Sequence, residues 1–321
     1  MTIEIGFVID PLDSLNPRKD SSIAMMSAAC RRGWRVHTIL QPDIRLQASG
    51  EETRVSATST VVEILGDGSD ADWCRTLESR EIALNDLDII MMRKDPPFDM
   101  EYINTTYMLD HAANAGALVV NHPDALRNCN EKMAITRFPQ CCTPMCVSQH
   151  QQTLRAFVHE HGDCIIKPLD GMGGAEIFRL TPEDANLSVV LETITRHGSR
   201  TVMAQTFIPE ISAGDKRILL IDGVPVDHAL ARVPAKGETR GNLAAGGTGV
   251  GVPLTDRDRW ICEQIADDLR DRGILFAGID VIGDYLTEIN ITSPTCIREL
   301  DKIYDQDIAS QLMAAAEARL G

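Results

Sequence analysis

The sequence predicts an α/β N-terminal domain with a mainly parallel sheet, followed by an α+β half built on antiparallel strands. Three observations carry that prediction. Apolar, β-branched runs alternate with helix-length stretches through about residue 120. Strand-length runs flank Asp222-Gly223 and Gly283-Asp284, both hairpin signals, in the last third. The chain has 321 residues, more than one domain of about 100–200 residues usually holds.

Taken in order, Ile3 to Ile9 reads as a buried strand, because its apolar run is continuous rather than alternating. Asp20 or Ser21 caps a helix through about Arg32, and Gly33 ends it. Val36 to Leu40, Leu87 to Met92 and Ala117 to Val120 are the next strands. A helix from about Met100 to Ala115, closed by Gly116, lies before the last of them. This β-α-β rhythm implies parallel pairing with helices on the sheet faces. The polar segment 48–81 receives no assignment. His122-Pro123 opens a short helix, and a cysteine-rich connection covers Cys141 to Cys146. Thr153 to Glu160 is a short helix, Cys164 to Lys167 and Glu176 to Leu180 are strands around a glycine-rich turn, and Leu187 to Arg196 is a helix. Lys216 to Ile221 and Val224 to Arg232 form the first hairpin, and a glycine-rich stretch, 233–251, follows it. Thr255 with Asp258 makes a capping box for a helix to Arg272, ended by Gly273. Ile274 to Ile282 and Leu286 to Thr292 form the second hairpin, and a helix runs from about Asp307 to Leu320. The resulting division is 1–122, 123–202 and 203–321.

Charge excludes some functions. Lys+Arg number 31 against 47 Asp+Glu, a formal net charge of −16. Such a chain is unsuited to coating nucleic acid or an anionic membrane, although a local cationic cluster can still take a small anion. No run of about 18 apolar residues is present, so no membrane span is expected. Met1 to Asp10 lacks a basic start and a cleavable apolar core, so no signal peptide is read. Nine cysteines in such a chain are expected as free thiols in a cytoplasmic protein.

Three constellations can carry chemistry. In Ile165-Ile166-Lys167-Pro168-Leu169-Asp170-Gly171-Met172-Gly173-Gly174 a strand delivers a lysine to a turn whose backbone N–H groups can surround a phosphate. No Gly-Lys-Ser/Thr closes it, so it is not a Walker A loop, and a plain hairpin turn would also use these glycines. The second set is Asp280, Glu288 and Asn290. Glu288 and Asn290 share one strand face, and the three are hard oxygen donors suited to Mg²⁺. A two-residue loop at Gly283-Asp284 sets Asp280 opposite Thr287, whereas a three-residue loop, 283–285, sets it opposite Glu288. A solvated polar strand face is the other reading of the set. The third comprises Lys132, Lys216, Arg217, Arg232, Arg240 and Arg298, each a candidate anion ligand or an ordinary surface charge. Arg232 and Arg240 bracket the start of the glycine-rich stretch, which suits either a water-excluding lid or a simple connector. Cys141, Cys142 and Cys146 lack the second cluster a zinc site needs, so their role is read as structural. His159 and His161 suit a helix C-terminus before Gly162, and no Ser-His-Asp or Cys-His nucleophile set can be assembled.

With these motifs in view, the chain resembles the prokaryotic glutathione synthetase family of ATP-grasp ligases over nearly its whole length. The likeness is carried by Lys19-Asp20-Ser21-Ser22, Met92-Arg93-Lys94-Asp95-Pro96-Pro97-Phe98, Asn128-Cys129-Asn130-Glu131-Lys132, the Lys167 to Gly174 run, Gly237-Glu238-Thr239-Arg240-Gly241-Asn242-Leu243-Ala244-Ala245-Gly246-Gly247 and Thr287-Glu288-Ile289-Asn290-Ile291-Thr292-Ser293-Pro294-Thr295-Cys296. The resemblance implies an ATP-grasp fold holding ATP between two antiparallel sheets. It implies ligation of γ-glutamylcysteine to glycine, through an acyl phosphate, giving glutathione, ADP and phosphate. The alternative is another ATP-grasp carboxylate–amine ligase with a different acid–amine pair. By resemblance, Lys132 and Lys167 hold the nucleotide phosphates, and Gly171, Met172, Gly173 and Gly174 cover them. Gln205, Thr206, Phe207 and Ile208 line the adenine edge, and Asp215 lies near the ribose. Asp280, Glu288 and Asn290 hold two Mg²⁺, with Mn²⁺ as a substitute. Arg217, Arg232 and Arg240 anchor the acyl phosphate and substrate carboxylates. The loop 233–249 is the family's lid, with Thr248 where relatives often carry arginine. A homotetramer is implied in the same way.

Overall fold

The computed structural model describes residues 2–171, 174–235, 241 and 246–320. The first part contains β1 (Glu4–Ile9), α1 (Ser21–Arg31), β2 (Arg35–Ser49), β3 (Glu52–Ile64), β4 (Cys74–Ala83), β5 (Ile89–Met92), α2 (Met100–Asn114) and β6 (Leu118–Val120). They form one sheet in the order β4-β3-β2-β1-β5-β6. β1 pairs in parallel with β2 and β5, and β5 with β6, as the β-α-β rhythm requires. Local chemistry sets the helix ends: the Asp20 side chain accepts from Ser22 N, and Gly33 follows α1 with φ of 75°.

The unassigned segment 48–81 proves to be sheet. β2 continues to Ser49, beyond the expected stop at Leu40, and β3 and β4 add to it antiparallel. β4 has only Ile82 and Ala83 buried. A strand with so little covered surface carries few apolar residues, which is why periodicity missed β4.

The second part contains α3 (Pro123–Asn128), β7 (Met145–Ser148), α4 (Gln151–His161), β8 (Cys164–Pro168), β9 (Phe178–Leu180), α5 (Leu187–Ile194) and β10 (Val202–Thr206). Its sheet is antiparallel in the order β7-β10-β8-β9. β10 lies inside this sheet, between β7 and β8, so the boundary placed at 202/203 cuts a strand whose apolar side chains belong to the module before it. Leu154, Val158, Ile166, Leu191 and Val202 make that module's own core.

The last part contains β11 (Asp215–Ile221), β12 (Val224–Pro225), β13 (His228–Val233), β14 (Thr248–Pro253), α6 (Asp256–Asp271), β15 (Phe276–Ile282), β16 (Tyr285–Asn290), α7 (Ile297–Tyr304) and α8 (Ile308–Ala318). Its main path is β14-β13-β11-β15-β16, with β12 hairpinned onto β11. The Thr255–Asp258 capping box opens α6 as the sequence predicts.

The first and last parts share their cores. One cluster unites Val8, Ile90 and Leu126 with Ile265 and Ile279, and another unites Ile5, Met25 and Val36 with Leu312 and Met313. Full burial of each such side chain contributes about 1.5–3 kcal/mol. Polar contacts fix the register of this junction. The buried Asn121 carboxamide donates to Phe276 O (2.7 Å) and Ile291 O (2.6 Å), and accepts from Leu275 N (2.8 Å) and Phe276 N (2.9 Å). Arg93 Nη2 donates to Pro294 O at 2.9 Å, and Thr292 Oγ1 donates to Asp95. Asn121→Ala strands buried backbone donors and acceptors on β15 and beside β16. Its expected cost is about 3 kcal/mol or more, read as a lower denaturant midpoint with unchanged slope. A midpoint equal to that of the unaltered chain would refute the bridging role.

Candidate active site

The third part's sheet faces the four-stranded sheet across a cavity of about 520 Å³. Its chemistry follows from strand alternation. On β8, Ile165 and Lys167 point the same way, two residues apart. On the opposing sheet, Asp215 is in register with Ile282, and Arg217 with Asp280. The hairpin end of the cavity therefore has an apolar wall, joined by Ile177, Phe207, Ile208 and Ile211. One step along the strands, charged side chains replace it. A site with an apolar slot beside a charged floor suits a planar base joined to an anionic chain.

The register of the second hairpin is settled by a combination the sequence did not offer. The loop has two residues, since Ile282 pairs with Tyr285 and Val281 with Leu286. A β-bulge at Thr287 then shifts the pairing, so that Asp280 faces Glu288 and Gly278 faces Asn290. Thr287 Oγ1 donates to Asp280 O at 3.0 Å, which fastens the bulge. Neither simple loop length describes this arrangement: the two-residue loop is present, yet the carboxylates are neighbours.

Asp280 is the centre of a buried ion network. Arg217 Nε donates to its Oδ1 at 2.5 Å and Arg217 Nη2 to its Oδ2 at 3.0 Å, while Arg232 Nη2 lies 3.0 Å from Oδ2. Arg232 also donates to Asp215. Burial alone would push the Asp280 carboxyl up, but the two guanidiniums outweigh it and hold it well below the usual carboxylate range. Asp215 is pushed up, by burial first and then by Asp280 and Glu288, against the pull of Arg232. Its Oδ1 has no hydrogen-bond partner among the described residues.

The lysines sit against the same floor. Lys132 Nζ donates to Glu131 and to Gly171 O (2.7 Å), and lies 3.5 Å from Glu288 Oε1. Asn130 Oδ1 accepts from Lys132 N at 3.1 Å and fixes that turn, while its amide donates to Leu169 O at 2.9 Å. Lys167 Nζ is fully enclosed, with Thr287 O at 3.4 Å as its acceptor. Burial lowers the Lys167 pKa, and neighbouring Glu288 opposes that shift.

The structure thus gathers Lys132, Lys167, Gly171, Gly174, Gln205, Thr206, Phe207, Ile208, Asp215, Arg217, Arg232, Asp280, Glu288 and Asn290 around one cavity. Met172, Gly173 and Arg240 lie outside the described residues. Two of the sequence candidates turn elsewhere. Lys216 points to the opposite sheet face and pairs with Asp258, the fully buried partner of Thr255 in the capping box of α6. Arg298 donates to the carbonyls of Asp20, Asp67 and Gly68. Sequence reasoning gave no role to Asp95, Glu131 or Thr292, which also line the cavity. The signal was available for Glu131, which adjoins Lys132; burial and Glu288 push its carboxyl up to about 7.

Asp280, Glu288 and Asn290 offer oxygen donors on two adjacent strands, the donor chemistry Mg²⁺ prefers, so the residues present fit that ion. Among the described residues no group of three His, Cys, Asp or Glu is placed for a metal. All nine cysteines are free thiols. Burial raises the pKa of Cys296, which lines the cavity, and pushes Cys142 up to about 12.

Comparison with known proteins agrees with this geometry. Residues 3–127 match the family model for the prokaryotic glutathione synthetase N-terminal domain, and residues 131–305 the model for its ATP-grasp domain. A glutathione synthetase of Pseudomonas putida is 53% identical over 320 residues, covering 100% of this chain and 99% of that protein. One from Vibrio cholerae is 52% identical over 318 residues, covering 99% and 98%. Among solved structures, a D-cycloserine synthetase superposes with a TM-score of 0.66 at 13% identity, covering 99% of this chain and 100% of that one. An ATP-grasp ligase complexed with minimal precursor, Mg and ADP superposes with a TM-score of 0.63 at 17% identity, covering 99% and 98%. These two likenesses concern the fold alone. The matches to both family models, together with identity above one half along the full chain, establish that the protein belongs to the prokaryotic glutathione synthetase family, ATP-dependent carbon–nitrogen ligases of the ATP-grasp fold.

Proposed function

We propose that the cavity between the two antiparallel sheets carries out the ligation of γ-glutamylcysteine to glycine, with the following division of labour. The observation that carries it is the meeting of Lys132 and Lys167 with the cross-strand pair Asp280–Glu288 beside an apolar slot. Adenine occupies the slot, against Phe207 and Ile208, with Gln205 and Thr206 at its edge and Asp215 near the ribose. Gln205 Nε2 is buried with no partner among the described residues, a donor available to a ligand. Lys132 and Lys167 neutralise the phosphates, and the turn of Gly171, Met172, Gly173 and Gly174 covers them.

A carboxylate is a poor electrophile. Transfer of the γ-phosphoryl group to the cysteinyl carboxylate replaces a poor leaving group with phosphate. The glycine amine then attacks the acyl carbon, and the tetrahedral oxyanion collapses with loss of phosphate. The protein's part is alignment and charge stabilisation. Arg217 and Arg232 face the cavity with their charge poised on Asp280, and they stabilise the acyl phosphate and substrate carboxylates as Arg240 does from the lid. Asp280, Glu288 and Asn290 would hold Mg²⁺, two ions in this proposal with Mn²⁺ as a substitute, and a bound cation would supply charge neutralisation for the transferring phosphoryl group. We also propose three domains that follow the three sheets, a homotetramer, and a cytoplasmic location in keeping with nine free thiols.

The test is phosphate release from ATP with Mg²⁺. Release is expected only when γ-glutamylcysteine and glycine are both supplied, with glutathione formed in equal amount. Release with neither, or only with another acid–amine pair, would overturn the assignment of substrates.

A further inference from the structure

The glycine-rich turn after Lys167 is flanked by two acids to which the ligation chemistry gives no role: Asp170 before it and Glu176 after it. One guanidinium holds both. Arg200 Nη2 donates to Asp170 Oδ1 at 2.6 Å, and Arg200 Nη1 donates to Glu176 Oε2 at 2.7 Å. Arg200 stands just before β10, on the turn that follows α5, and its backbone N–H is fixed on Thr195 O at 2.8 Å. Its side chain is 14% exposed, against 65% and 54% for the two acids. Pairs with such exposed partners add little to stability. The geometry is nevertheless specific, because a planar fork spans two carboxylates on opposite sides of one turn. Glu176 has φ of 55°, a left-handed conformation that a side chain disfavours, and its carboxylate is the one that accepts from Arg200 Nη1. On the cavity side, Lys132 Nζ donates to Gly171 O at 2.7 Å. Gly171, Gly174 and Ala175 all line the cavity beside that lysine.

We propose that Arg200 is a positioning residue for the nucleotide's phosphate chain. By setting the span between Asp170 and Glu176, it places the ends of the turn over the phosphates that Lys132 and Lys167 neutralise. The inference rests on the nucleotide reading of the cavity and is independent of which acid and amine are joined.

The test measures binding of AMP-PNP and of AMP, each with Mg²⁺, to the full chain and to Arg200→Met and Arg200→Lys. The expected result for Arg200→Met is roughly tenfold weaker AMP-PNP binding, with AMP binding changed less than about twofold, because only the outer phosphates meet the turn. Lysine reaches one acid at a time and is expected to recover part of the loss. Asp170→Asn and Glu176→Gln each remove one pair from the exposed side, and each is expected to show a smaller loss with the same selectivity. That gives a readout even where Arg200→Met folds poorly. Equal losses for AMP and AMP-PNP, or AMP-PNP affinity within about twofold across all four variants, would overturn the proposal. An unaltered chain that binds AMP-PNP no better than AMP would instead overturn the nucleotide reading on which it rests.

Discussion

Asp280→Asn is expected to lower ligation on the order of 10³-fold and to destabilise the fold by about 3–5 kcal/mol. Two separate physical effects meet at this carboxylate. It is a proposed oxygen ligand, facing Glu288 across the bulged pair. It is also the counter-ion that Arg217 and Arg232 share in a buried setting. An amide of the same shape keeps the packing and removes the charge, which leaves two enclosed guanidiniums with Asp215 as their remaining nearby partner. The sign of the pH effect follows. Because the Asp280 pKa is depressed on folding, its contribution is complete above the unfolded value and is lost as the pH falls through the folded value. In the unaltered chain this source of stability therefore persists well into acid. Glutathione formation and chemical denaturation of the variant check both halves. Activity within tenfold of the unaltered chain would remove Asp280 from the proposed metal set, and an unchanged midpoint would show that the arginines do not depend on it.

Lys167→Ala is expected to separate function from stability in the opposite way. The ammonium is enclosed, its acceptor Thr287 O is 3.4 Å away, and burial already lowers its pKa. A buried charge so weakly compensated contributes little to the fold. Its removal is expected to shift stability by less than about 1 kcal/mol while raising the KM for ATP about a hundredfold, the size of a lost buried charge contact to an anion. Steady-state kinetics with ATP varied, beside a denaturation curve, supplies the check. An unchanged KM for ATP would mean that Lys167 does not contact the phosphates.

The two lysines illustrate how far a sequence can be read. A strand that delivers Lys167 to a glycine-rich turn is a local pattern, and the structure keeps that lysine in the wall of the cavity. The cationic set was legible only as residue types. Lys216 and Arg217 are adjacent, yet strand alternation sends Arg217 to Asp280 and Lys216 through the other face to Asp258. Which face becomes the site depends on which sheet packs opposite, and no local rule supplies that. β4 was hidden for a related reason: with so little of it buried, its sequence carries little of the apolar alternation by which strands are recognised.

The sequence by itself determined the parallel start of the first sheet, the capping box of α6, the positions of both hairpin turns and the family motifs, because each depends on side chains within a few residues of one another. Tertiary structure alone decided the junction through Asn121, the bulge that sets Asp280 against Glu288, the sharing of Asp280 between two arginines, and the clamp of Arg200 on both ends of the glycine-rich turn. In each of these a polar group is buried, and its partner is whichever group the packed chain brings within reach. Satisfying buried polar groups is a property of the whole fold, so the lysines, arginines and carboxylates scattered along this acidic chain become one site only once its sheets face each other.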